Sequence, residues 1–316
     1  CTADSLVFAM GAGTSIFIFR AGAPADPLTL IGEVEFTYPI TENNYHRNSA
    51  LELRRSPGEP NRYDLFFQIG SQQNFETSTE IVTLSSVSVL NVSGLLPRDS
   101  AYMMTLEDQG TQLEMIDVIQ IATGLRNASG FSVQQATGDL YFNDNGIDGL
   151  VDSNEPHSAD ELNTIAREDI GTSVFNFGYP STYTAYRTGT LVGSGGIQPL
   201  IAFQPVGDPE TGLRSEGPNG VAFAPPAFPD GLNTGFFLGF HGKFFFGGLA
   251  NDENPVVYAN PDTGSYFHFI RGQQEGIGHL IGLLSTRTTL YIADISSSGD
   301  LGEGGAGVIY KIRSLA

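Results

Sequence analysis

Lysine is almost absent. Lys243 and Lys311 are the only two in 316 residues, and the formal net charge is −20. Phosphate binding needs clustered Lys and Arg, so nucleic acid and anionic membrane are excluded as partners. Charged residues make up only 16% of the chain, so this is an excess of acid over base and not a densely charged surface. Cys1 is the single cysteine, which excludes an internal disulfide framework. No apolar run approaches the roughly 20 residues that a membrane-spanning helix needs. No long amphipathic helical pattern occurs; the one charged helical candidate is a short helix or turn over 158–169. The chain has no CxxC, no HExxH, no phosphate-binding loop and no GxGxxG opening a helix, which leaves zinc hydrolysis and NAD chemistry without support.

What is abundant points elsewhere. Gly 39 and Pro 17 suit a chain full of turns. Short β-rich runs recur with a turn before an LY-type strand. Gly138-Asp139-Leu140-Tyr141 returns at Thr289-Leu290-Tyr291-Ile292-Ala293-Asp294, more loosely at Arg62-Tyr63-Asp64-Leu65-Phe66-Phe67, and weakly at Gly235-Phe236-Phe237-Leu238-Gly239. Self-similar units at long spacing predict an all-β propeller of four-stranded blades. Strands are expected at 5–10, 14–19 and 28–36. Residues 49–54, 64–69 and 80–90 are expected to form one blade with an extension to 120. Further strands fall between 118 and 165, an irregular stretch covers 174–204, and strands resume over 221–270 and 280–312. A 316-residue propeller is one domain, so residues 1–316 are expected to form a single domain.

The block Gly124-Leu125-Arg126-Asn127, the Gly138–Tyr141 turn, Asn145-Gly146-Ile147-Asp148-Gly149 and Asp160-Glu161-Leu162-Asn163 resembles the glucose/sorbosone dehydrogenase family, in its sorbosone dehydrogenase-like branch. Tyr45-His46-Arg47-Asn48 followed by Gln68-Ile69-Gly70-Ser71 looks like the family's His-containing blade. Phe240-His241-Gly242-Lys243 looks like its next-to-last blade, and Gly307-Val308-Ile309-Tyr310-Lys311-Ile312 like its closing strand. The resemblance implies a six-bladed propeller that uses pyrroloquinoline quinone (PQQ) to oxidise a sugar or alcohol. It also implies a location outside the cytoplasm. The four to five blades that the strand pattern supplies leave the first blade without a counterpart. Either residues precede it or the ring closes differently, with an open edge for self-association.

The resemblance places chemistry on named residues. His46 is the candidate base for a hydroxyl proton, because imidazole titrates near neutrality. Arg126 is expected to stabilise a quinone oxygen that gains charge, and Asn127, His241 and Lys243 to face the cofactor. Asp144, Asp148, Asp160 and Glu161 crowd one Gly-containing acidic loop whose hard oxygens suit Ca²⁺, although the spacing is not that of an EF-hand. A solvated acidic loop, or Asp160 and Glu161 capping the short helix that follows, explains the same residues. PQQ carries three carboxylates, yet Gly276-Ile277-Gly278-His279 stands where the family's last blade supplies arginine. A non-catalytic propeller that binds a partner or self-assembles is therefore the second reading. Cys1 is either the lipidated first residue of a mature lipoprotein or simply where the sequence begins. Asn91-Val92-Ser93 and Asn127-Ala128-Ser129 permit N-glycosylation in a suitable host.

Overall fold

A computed structural model of the chain describes residues 7–12, 14–23, 25–39, 46–47, 50–152, 155–242, 253–272, 278–295 and 307–314. Among these residues there is no helix; every regular element is a strand. In chain order these are β1 (Val7–Ala12), β2 (Ser15–Arg20), β3 (Thr29–Thr37), β4 (Leu51–Arg55), β5 (Arg62–Ile69), β6 (Ile81–Ser85), β7 (Ser93–Pro97) and β8 (Ser100–Asp108). Then follow β9 (Leu113–Thr123), β10 (Gly130–Val133), β11 (Leu140–Asp144), β12 (Asp160–Ile165), β13 (Phe175–Asn176), β14 (Tyr183–Thr184), β15 (Leu191–Val192) and β16 (Ile201–Phe203). The last are β17 (Pro218–Phe223), β18 (Phe236–Phe240), β19 (Val256–Asn260), β20 (Ser265–Ile270), β21 (Gly282–Ser285), β22 (Thr289–Asp294) and β23 (Val308–Arg313). Consecutive small sheets of this kind make the fold all-β and propeller-like.

The chain divides into two compact units. The first comprises Cys1–Asp139, Ile165–Thr182 and Ser194–Ile197; the second comprises Leu140–Thr164, Tyr183–Gly193 and Gln198–Ala316.

In the first unit, β1-β2-β3-β6-β7 form one five-stranded sheet and β13-β9-β8-β5-β4 another. Period-2 alternation builds them. Along β2, Ile16 and Ile18 point inward between half-buried neighbours, and β3 does the same with Val34 and Phe36. β5 is buried over nearly its whole length because it lies between β4 and β8. Phe67 stacks on Tyr102 at a centroid distance of 5.4 Å and meets Phe36 at 5.3 Å.

In the second unit, β17-β18-β19-β20 form the expected four-stranded blade, and β21-β22-β23 form a three-stranded sheet. β11, β12 and β16 lie side by side. The core is aromatic: Phe203 meets Phe240 edge-on at 5.4 Å, and Phe237 meets Tyr258 at 5.2 Å.

Three expectations change. Of the short helix or turn expected over 158–169, the helix does not form. β12 occupies 160–165 and turns follow, because Leu162 and Ile165 are buried and the strand edge pairs with β16. Asp160 and Glu161 therefore cap no helix. β6 does not join β4 and β5; it pairs with β3 and β7. The β4–β5 sheet instead continues through β8 into β9, by way of the long β8–β9 hairpin. Two of the sheets carry five strands instead of four.

Candidate functional site

The first unit gathers its polar residues at the end of β5. Gly70 follows the strand. A Cβ there would sit 2.6 Å from both Gln68 Oε1 and His46 Cβ, and 2.9 Å from Arg126 O. Only glycine lets these three residues converge on one backbone point. His46 precedes β4, and Arg126 lies in the loop that joins β9 to β10, where the chain turns at Gly124 with φ +68.

His46 Nδ1 lies 3.1 Å from Ser71 O and 2.9 Å from Ser71 Oγ. A carbonyl oxygen only accepts, and Ser71 Oγ donates to Gln73 O at 2.7 Å. Nδ1 therefore carries the proton and Nε2 the basic lone pair. Burial, followed by the Arg126 and Arg98 charges, lowers this imidazole to about 3. The ring is neutral at pH 7.

Two guanidiniums frame it. Arg98 is wholly buried. Its Nε donates to Gly70 O at 2.8 Å, Nη2 to Ser71 O at 3.0 Å, and Nη1 to Glu80 Oε2 at 2.9 Å. Arg126, 5% exposed, donates from Nε to Asn74 Oδ1 at 3.1 Å, and its carbonyl accepts the Ser71 N–H at 2.7 Å. Gln68 Nε2 donates to Arg47 O at 2.5 Å and to Asn127 Oδ1 at 3.2 Å. So His46, Arg126 and Asn127, three of the residues expected from sequence, do come together. Gln68, Ser71, Asn74 and Arg98 join them without having been singled out. Gln68 and Ser71 stood in the quoted Gln68–Ser71 motif; nothing local marked Asn74 or Arg98.

The second unit holds the acidic loop. Asp160 Oδ1 accepts the Gly146 N–H at 2.7 Å, and Oδ2 accepts the Gly217 N–H at 2.9 Å. Ser158 Oγ accepts the Ile147 N–H at 2.7 Å. A Cβ on Gly149 would collide with the carbonyl oxygens of Asp152 and Glu155, so the loop folds tightly over this glycine. Glu161 rises to about 8, first through burial and then through the Asp144 charge, with Asp160 adding to it. Glu216 is also pushed up, by burial and by hydrogen bonding and repulsion with Glu253. Arg214 answers that charge at 2.8 Å from Glu253 Oε1.

The loop thus brings Asp144, Asp160 and Glu161 near one another, with Asp148 in the same turn region. Among the described residues, no three His, Cys, Asp or Glu side chains converge as a metal cluster. The His241 ring packs on Gly217, where φ is +66 and a Cβ would run into the imidazole. His241 Nδ1 lies 2.7 Å from Gly242 O. Lys243 lies outside the described residues. Glu216, Glu253 and Arg214 had no motif to announce them.

No known protein family and no curated protein matches the chain. Solved structures do. The calcium structure of a Trichoderma reesei carbohydrate-active enzyme of family AA12 is 14% identical, with a TM-score of 0.54, covering 98% of this chain and 78% of that one. The iodide structure from the same organism and family is 15% identical, with a TM-score of 0.51, covering 99% and 79%. A Thermus thermophilus protein named an oxidoreductase (glucose dehydrogenase) aligns at 12% identity over 95% of this chain and 91% of that one, but its TM-score of 0.42 carries no weight. Identities this low establish a shared fold and leave the chemistry to the chain's own residues.

Proposed function

We propose that this chain is an oxidoreductase that acts on the hydroxyl of a sugar or alcohol, in the manner of the PQQ-dependent dehydrogenases that its 124–163 block resembles. The observation that carries the reading is the His46–Ser71 contact. It fixes the imidazole as the Nδ1–H tautomer and makes Nε2 the atom able to take a hydroxyl proton.

PQQ, when bound, supplies the two-electron acceptor. The residues of the first unit fit it: a buried guanidinium at Arg126 and an amide pair at Gln68–Asn127 surround the histidine. Arg126 and Asn127 would hold its oxygens. Roles for His241 and Lys243 rest on the resemblance alone. Calcium fits the acidic loop in charge. Glu161 is held protonated by burial and by Asp144, and a nearby cation would restore its ionisation. The carboxylates do not fit it as a ligand set: Asp160 is engaged by two backbone amides.

The test is dye-linked sugar oxidation by protein incubated with PQQ and Ca²⁺. His46→Ala is expected to abolish turnover while leaving the melting temperature close to wild type. Unchanged turnover would remove His46 from the mechanism. Absence of any saturable PQQ-induced rise in melting temperature would remove the cofactor.

One observation favours a second reading. An imidazole near 3 is a weak base at neutral pH, since the best catalytic bases titrate near working pH. In that reading the chain is a non-catalytic binding or self-assembling propeller. End strands carry apolar side chains that suit association: Leu95 of β7 is 73% exposed and Ile309 of β23 is 72% exposed. Sizing chromatography decides it, because a clean monomer at high concentration contradicts self-assembly. Either reading suits a location outside the cytoplasm, which the net charge of −20 supports. No helix among the described residues is long and apolar enough to cross a membrane.

A further inference from the structure

The first unit has a cleft that backs onto the His46 cluster and shares Arg98 with it. We infer that this cleft is a binding site for a neutral saccharide. It encloses about 490 Å³, and its walls include Ser78, Arg98, Asp99, Gly124, Tyr179 and Thr182. That volume falls within the roughly 300–1,000 Å³ of small-molecule sites. His46, Gln68 and Asn127 do not line it. The inference does not depend on the oxidoreductase reading.

Charge selects the class of ligand. Among the described residues, Arg98 is the only cation on the wall, and its side chain is 0% exposed. Its Nε, Nη1 and Nη2 are occupied by Gly70 O, Glu80 and Ser71 O. Among the described residues, the cleft therefore offers no exposed cation to a phosphate or carboxylate. Among the described residues, Asp99 is the only carboxylate there. It accepts the Ser78 N–H at 2.7 Å and the Ser78 O–H at 2.6 Å. A carboxylate has about four lone-pair positions, so acceptor capacity remains for ligand hydroxyls.

The rest of the lining is alcohol, amide and backbone. Ser181, Thr182 and Ser194 supply hydroxyls, and Asn176 supplies an amide whose Oδ1 is taken by the Gly178 N–H at 2.9 Å. Gly178 at φ +104 and Gly195 at φ +99 leave the floor without side chains, exposing peptide groups. A Cβ on Gly196 would stand 2.7 Å from Gly178 Cα. Tyr179 adds an aromatic surface. Its hydroxyl donates to Gln73 O at 2.8 Å and lies 3.2 Å from Glu76 O, and its N–H donates to Gly124 O at 2.9 Å, which pins the ring in place. Many small donors and acceptors beside one fixed ring suit a ligand with hydroxyls around its rim and C–H groups on its face.

A strained residue marks the same place. Asp99 is a non-glycine residue at φ 58, held there by the Leu125 N–H on its carbonyl at 3.1 Å. Strain of this kind persists where the surroundings enforce it and concentrates at ligand sites.

The test is titration calorimetry with glucose, xylose, cellobiose and glucose 6-phosphate. Wild type is expected to bind at least one neutral sugar saturably and to bind the phosphorylated sugar no more tightly. Asp99→Asn keeps a residue that tolerates positive φ but removes the anionic acceptor, and should weaken binding about tenfold or more. Ser181→Trp, at an exposed position, fills the cleft and should abolish binding; it carries the test alone if Asp99→Asn does not fold. Ser181→Trp should leave any PQQ-induced rise in melting temperature as in wild type, which separates this site from the proposed catalytic one. The inference is overturned if no neutral sugar binds, if glucose 6-phosphate is preferred, or if Ser181→Trp binds normally. It also fails if Ser181→Trp removes a PQQ-induced rise together with sugar binding, because the ligand would then sit at the His46 cluster.

Discussion

Arg98 and Glu80 form a buried ion pair, with Nη1 and Oε2 2.9 Å apart and side chains 0% and 7% exposed. The same guanidinium grips the carbonyls of Gly70 and Ser71, so the pair anchors the backbone on which His46 rests. Removing one partner strands a charge in the interior. Glu80→Gln is expected to destabilise the fold by about 3–5 kcal/mol, measured by denaturant unfolding. A loss below about 1 kcal/mol, the level of an exposed pair, would show that the pair is not buried as described.

The His46 imidazole is lowered from 6.5 to about 3 by burial and by two arginines. Its folded state binds fewer protons than the unfolded state between those values, so stability rises with pH across that window. His46→Gln should flatten the rise. Ring ¹⁵N shifts should report a neutral Nδ1–H tautomer at every pH above the folded value. A titration midpoint near the ordinary histidine value would sink the burial account.

Two carboxyls act in the opposite sense. Burial raises Glu52 to about 7, against the pull of the Val133 N–H, and burial with Asp144 raises Glu161 to about 8. Here the folded state holds protons that the unfolded chain has lost. Stability must fall as pH climbs from the ordinary 4.5 through these values. Melting temperature should be lower at pH 8 than at pH 5, and Glu52→Gln or Glu161→Gln should recover part of the difference. Millimolar Ca²⁺ should also recover it if the acidic loop takes a cation. A flat profile would show that both groups ionise freely.

The Asp160 carboxylate joins Gly146 to Gly217, each oxygen accepting one backbone N–H. Asparagine keeps the shape but turns an amide N–H toward one of the two backbone N–H groups. Asp160→Asn is expected to cost about 1.5–3 kcal/mol, read from thermal or urea unfolding. An unchanged midpoint would mean that the loop is held by other contacts, with Ser158 the nearest candidate.

Local pattern carried the architecture. Ser15–Arg20 alternates buried and half-buried residues, and Thr289-Leu290-Tyr291-Ile292-Ala293-Asp294 is a strand as its repeat suggested. Such periodicity is written residue by residue. Pairing is not. Residues 80–90 read as a third strand of the β4–β5 blade, yet Ile81–Ser85 pairs with Thr29–Thr37. The charged segment 158–169 read as a short helix or turn; pairing with Ile201–Phe203 makes Asp160–Ile165 a strand, and turns follow it.

The site divides in the same way. His46, Arg126 and Asn127 were legible because they stand in short motifs, and the structure gathers them. An all-β, lysine-poor chain with His46 and Arg126 in recognisable settings could be read from the order of residues alone. Which histidine nitrogen is basic, the engagement of Asp160 by two amides and the packing of Arg98 behind His46 came from the folded chain. Those outcomes depend on residues 25, 52 and 57 positions apart meeting at hydrogen-bonding distance. Spacing along a chain fixes which face a side chain takes, but not which distant backbone will lie beside it.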